Sequence, residues 1–163
     1  LFQFEFIDPR ELTFAARIRY VCEHECRRYG TSWACPPAVG SVEACQARCL
    51  AFPHALMMTS VTEVADISDI EETLATRGPH EELTRQVRQL LEECGAAETY
   101  VLSTDSCAHC AQCAYPGGPC RHPDRMYPCV ESHGIVVTDI AEKYGIDFLS
   151  GNLVVWFSLL FYR

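Results

Sequence analysis

The sequence predicts an α/β domain, a small sheet of about three strands with flanking helices and cysteine-rich loops. Two observations carry the fold. Residues 55–61, 99–104 and 153–162 are rich in apolar, β-branched and aromatic side chains, as strands are. Between them lie stretches with helical spacing and recognisable caps. A third observation concerns the loops: cysteines number 11 of 163 residues and gather mostly outside the apolar runs.

Taken in order, Asp8-Pro9-Arg10-Glu11 places an N-cap Asp, a Pro at the first helical position and a Glu at N3, so a helix is expected from Pro9 toward Cys22 and Cys26. Gly30 reads as its stop. Pro36-Pro37 forces an extended backbone and puts Cys35 on a loop. Ser41 caps a second helix that carries Cys45 and Cys49 on one face and ends before Pro53. Residues 66–79 are acidic and polar. Leu83, Val87, Leu90 and Leu91 then set a helix over 81–94, stopped by Gly95. The strand at 55–61, this helix and the strand at 99–104 read as a parallel βαβ unit. Further helical stretches are expected at 128–133 and 136–144, before a third strand at 153–162.

The length suits a single domain spanning 1–163, and 48% hydrophobic with 21% charged residues is a globular balance. A net charge of −9 disfavours a nucleic-acid surface, which needs clustered Lys and Arg. No apolar run reaches the roughly 18 to 20 residues of a membrane-spanning helix. No secretory signal is visible. A soluble, cytoplasmic protein is expected, without nucleic-acid or membrane partners. Ser/His/Asp order, phosphate loops and dinucleotide fingerprints are not apparent.

Cys107-x2-Cys110-x2-Cys113-x6-Cys120 is the most informative segment. A C-x2-C-x2-C loop delivers three thiolates from one irregular stretch whose amides can also bond to cluster sulfurs, the requirement of a 4Fe-4S cubane. The match to bacterial ferredoxins is close but incomplete, because the interval before Cys120 is longer and Arg121 rather than Pro follows it. Structural zinc sites usually pair two separated C-x2-C knuckles, so zinc ranks second and disulfides last. The loops are therefore read as metal-binding, which implies reduced thiols and a cytosolic, anaerobic setting.

A second group, Cys22-x3-Cys26-x8-Cys35, offers three thiolates. Cys129 is the first choice for its fourth ligand, with Cys45, Cys49 or a crossed Cys120 as alternatives. Cys45 and Cys49 fit the core somewhat better than ligation, and Cys94 reads as structural. His109 lies between two ligands and points away from them or hydrogen-bonds to their site. His122 and His133 read first as solvated surface histidines.

The runs Cys26-Arg27-Arg28-Tyr29-Gly30-Thr31-Ser32-Trp33-Ala34-Cys35-Pro36-Pro37, Cys113-Ala114-Tyr115-Pro116, Cys120-Arg121-His122-Pro123 and Glu131-Ser132-His133-Gly134-Ile135 resemble an uncharacterised family of predicted metal-binding proteins of archaea and anaerobic bacteria. The resemblance covers nearly the whole chain and implies metal binding through both cysteine groups. Family members often carry Ser where Cys129 stands, so the resemblance supports Cys22, Cys26, Cys35, Cys107, Cys110, Cys113 and Cys120 more than Cys129, Cys45 or Cys49.

The expected function is that of an iron–sulfur protein with one or two 4Fe-4S clusters. It would pass electrons to a partner redox protein, with Trp33, Tyr115 and the prolines shielding the clusters. An acidic surface would steer docking to a basic partner. Alternatives are a cluster enzyme with an open iron at Cys22, Cys26 and Cys35, or a structural zinc or metal-handling protein.

Overall fold

A computed structural model describes residues 1–146 and 151–163. Four strands form one antiparallel sheet in the order β1-β2-β4-β3, with β1 at Phe4–Ile7, β2 at His54–Glu63, β3 at Thr99–Leu102 and β4 at Leu153–Tyr162. The helices are α1 (Ala16–His24), α2 (Val42–Leu50), α3 (Ile70–Ala75), α4 (Arg77–Glu93) and α5 (Val137–Tyr144), with 3-10 turns at Pro9–Glu11 and Glu131–His133.

The α/β class stands, with four strands where about three were expected. β2 and β4 pair along their whole length, from His54 opposite Tyr162 to Glu63 opposite Leu153. Both faces of this central pair are covered, which is why the strands read as continuous apolar runs. Leu56, Met58, Val101 and Leu160 pack under Leu83, Val87 and Leu91 of α4. Ala55, Met57, Leu102, Phe157, Leu159 and Phe161 face the opposite layer, which includes Cys49, Phe52, Val130, Ile135 and Ile140.

Four expectations are corrected. β2 and β3 point the same way but do not touch, because β4 lies between them and pairs antiparallel with each. β4 is the most apolar strand, and a central place pairs both its edges. β1 went unread, though Phe4 and Phe6 alternate with polar residues there. The helix expected from Pro9 is a single 3-10 turn. Asp8 does cap it, accepting from the Arg10 amide, but Leu12 is already extended. Thr13 and Phe14 stay extended because they pair with the 134–136 segment: the Val136 amide donates to Thr13 O and the Ala15 amide to Gly134 O. α1 therefore begins at Ala16. Finally, residues 128–133 supply only one 3-10 turn, stopped at Gly134. Gly134 has φ +74°, and a Cβ there would meet Val42 Cγ1 at 2.9 Å, so the position demands glycine.

Of the remaining elements, α2 is capped by Ser41, whose hydroxyl accepts from the Ala44 amide. α4 begins four residues before the expected Glu81, and Pro79 is tolerated in its first turn, where amides lack intrahelical acceptors. The acidic linker before it holds α3, capped by Asp69.

A polar seam joins α4 to the sheet. His80 is 1% exposed, and its ring nitrogens meet Ser60 Oγ at 2.7 Å and Ser158 Oγ at 2.8 Å. Burial lowers its pKa to about 4. The unfolded chain protonates this histidine below about 6.5, whereas the fold keeps it neutral down to about 4. Stability is therefore complete above pH 6.5 and falls as the pH drops through this window, by up to about 3 kcal/mol. Denaturant unfolding between pH 7 and 4 should show this slope, and His80→Gln should make it shallower by the His80 share.

Candidate metal centre

The sheet launches the cysteine loop and takes it back. Ser103, just past β3, forms a parallel bridge with Cys129, in which its amide donates to Pro128 O and its carbonyl accepts from the Val130 amide. The Cys129 amide in turn donates to Ala34 O at 3.1 Å, so the 26–37 segment is fastened to the same point. Two irregular segments, neither able to hold a shape by itself, are thus tied to one strand end.

Cys107, Cys110, Cys113 and Cys120 all line one cavity of about 200 Å³, together with Ser32, Trp33, His109 and Arg121. Trp33 closes one side. Its indole N–H donates to Gly118 O at 3.0 Å, and its ring meets Tyr115 edge-on at 5.0 Å. The Arg121 guanidinium donates to Gln112 O and braces the loop from within. Burial pushes the Cys107 thiol up, with the His109 amide opposing. Burial also acts to raise Cys113, but the amides of Tyr115, Trp33 and Ala114 and the Ser32 hydroxyl together outweigh it and hold this thiol below its ordinary range. Those donors favour the thiolate.

Cys22, Cys26, Cys35 and Cys129 line a second, smaller cavity of about 40 Å³. Cys22 sits on the last turn of α1. Cys26 lies beyond the helix end at Glu25, not one turn along it as the spacing suggested. Cys35 and Cys129 are buried. Burial raises Cys22 and Cys35. Cys129 is raised further, by burial and then by the Glu131 carboxylate, to which its thiol donates at 2.7 Å. Among the described residues, no three His, Cys, Asp or Glu side chains close to the spacing of a single-ion site.

The fourth member expected for the second group, Cys129, is therefore at the second cavity. Cys45 and Cys49 are in the core, fully buried, as the sequence favoured. Cys120 lines only the first cavity of the two. Cys94 is exposed at the end of α4. His109 bonds to the loop, its Nε2 lying 2.6 Å from Arg125 O. His122 is exposed, but the surface reading of His133 is corrected: it is fully buried. Its Nδ1 donates to Cys129 O, its Nε2 accepts from the Tyr100 hydroxyl at 2.6 Å, and burial lowers its pKa to about 4. A neutral ring with a defined tautomer suits that pair of partners.

Sequence reasoning missed the supports. Arg77 and Glu81, four residues apart on α4, form a buried pair at 2.5 Å, and Arg77 also reaches Asp105 at 3.7 Å while Glu81 stands 3.8 Å from His109. Their i, i+4 spacing was readable, but their burial was not. Asp105 adopts a left-handed backbone, φ 58°, at the turn into the loop. Ser32 lies within the quoted 26–37 run and Ser106 just before Cys107, but neither carried a role legible in the sequence.

A family described as predicted metal-binding protein (DUF2284) matches residues 5–162. The chain belongs to this family. No curated protein matches it, and no solved structure does either. What the family description states, metal binding, agrees with a cysteine-rich domain that gathers two sets of thiols. No helix among the described residues is long and apolar enough to cross a membrane.

Removing one partner of the Arg77–Glu81 pair leaves a buried charge. Arg77→Met should cost about 3–5 kcal/mol in denaturant unfolding, and Arg77→Met with Glu81→Leu should recover most of it.

Proposed function

We propose that the protein binds two 4Fe-4S clusters, one at Cys107, Cys110, Cys113 and Cys120 and the other at Cys22, Cys26, Cys35 and Cys129, and that it transfers electrons to a partner protein. The observation that carries this reading is the sorting of eight thiols into two cavities of four. The donor chemistry fits. Thiolates around one zinc ion at about 2.3 Å stand less than about 4 Å apart, whereas a cubane takes one thiolate per iron around a larger body. The first four line a cavity rather than converge on a point, and amides directed at Cys113 resemble the donors that cluster thiolates accept. Each cluster, when bound, would supply a one-electron couple. The chain's own residues hold the thiols, exclude water through Trp33 and Tyr115, and stabilise the Cys113 thiolate. An enzyme with an open iron finds less support, since Cys129 stands at the cavity that seemed to have only three ligands.

Anaerobic purification with iron, acid-labile sulfide and zinc analysis tests this directly. About eight irons and eight sulfides per chain are expected for two cubanes. Colourless protein with zinc and no sulfide would replace the cluster reading with a structural or metal-handling one.

The rim suggests the partner's charge. Although the chain carries −9, the first cavity is lined by Arg28, Arg121, His109 and His122 and by no carboxylate. A partner docking there would present acidic groups, opposite to what net charge alone implies. Arg121→Glu should slow oxidation of the reduced protein by anionic cobalt(III)–EDTA by about tenfold at low salt and favour cationic hexaamminecobalt(III). Equal rates for both proteins, at unchanged iron content, would remove the acidic-partner proposal.

A further inference from the structure

The two cavities share a wall. Arg28 and Ser106 line both. Ser106 is 3% exposed, and the next residue in the chain is Cys107 of the first site. On its other side it lines the second cavity together with Cys35. Arg28 meets the second site through its backbone, its amide donating to Cys26 Sγ at 3.5 Å. The segments also interleave. The 31–37 loop lines the first cavity with Ser32 and Trp33 and the second with Cys35, while the 103–130 segment supplies all four thiols of the first site and Cys129 of the second.

We infer that the two sites are one coupled pair, with Ser106 as the positioning residue that links them: it stands in the wall of the second cavity with Cys35 and its peptide carries Cys107. This rests on the two-cluster reading above and adds that neither site behaves independently. The physical basis is proximity across a wall that includes the buried Ser106. Two anionic centres whose cavities share the buried Ser106 are close enough that charge on one shifts the potential of the other. The coupling is reciprocal, because the shift that the first site imposes on the second equals the shift imposed in return. A change at Ser106 acts on both sides of the wall, but unequally. Loss of the hydroxyl removes a donor near Cys35, whereas the peptide that carries Cys107 remains.

The test uses the whole chain reconstituted anaerobically with ferrous iron and sulfide, alongside two variants that empty one site each, Cys110→Ser/Cys113→Ser and Cys22→Ser/Cys26→Ser. Iron and sulfide counts establish loading. Electron paramagnetic resonance of the fully reduced wild type should then show a broadened spectrum that is not the sum of the single-site spectra. Ser106→Ala should keep its full iron and sulfide while the potential of the second site moves to more negative values, and Ser106→Thr should restore it. Ser32→Ala, at a residue that lines the first cavity and not the second, should move the first site's potential more than the second's. Two full clusters with additive spectra, or a second-site potential that Ser106→Ala leaves in place, would overturn the coupling and leave the cluster reading intact. Absence of acid-labile sulfide would overturn both.

Discussion

The bridge between Ser103 and Cys129 is the constraint on which the rest depends. The chain leaves the sheet at the end of β3, runs through an irregular excursion that holds four cysteines, and is captured again one hydrogen-bonded step from where it left. An excursion of this length has a large closure entropy if its ends are free. Here the ends are pinned to a strand whose other residues, Val101 and Leu102, are packed on both faces of the sheet. The sheet thereby positions the thiols without providing any of them.

The same point fastens the second segment, through the hydrogen bond from the Cys129 amide to Ala34 O. Buried arginines extend the scheme. Arg19 on α1 donates to Gly40 O at 2.8 Å and to Ser132 O, which locks the helix carrying Cys22 against the turn that follows Cys129. Arg77 does likewise from α4, reaching Asp105 at the start of the cysteine loop. Guanidinium groups suit this work because one planar fork satisfies several acceptors on different segments. Burying such groups is costly by itself and tolerable only when paired. That makes these arginines sensitive points for the fold around the site, although none of them is a metal ligand.

Much of the fold was legible because its signals are local. Ser41 capping α2, the Leu83 to Leu91 spacing of α4 and the apolar run of β4 each follow from residues within one or two turns. The misreadings share a cause. The Asp8-Pro9 cap is real, yet long-range pairing of Thr13 and Phe14 with the 134–136 segment stretches the chain before a helix can form. Likewise β2 and β3 have the composition of a parallel pair, but β4, remote in sequence, inserts between them and pairs antiparallel with each.

The cysteine spacing by itself placed Cys107, Cys110 and Cys113 together, since intervals of three in a short loop leave little choice, and all three line one cavity. It also singled out the chemistry, because thiols in that pattern serve metals better than disulfides. Tertiary structure decided which cysteines line each cavity, that Cys45 and Cys49 belong to the core, and that Ser106 and Arg28 line both cavities. The physical reason is distance along the chain. Cys129 meets Cys22, Cys26 and Cys35 only because a strand end, a buried arginine and a backbone bond to Ala34 bring remote segments together, and no local pattern encodes that meeting.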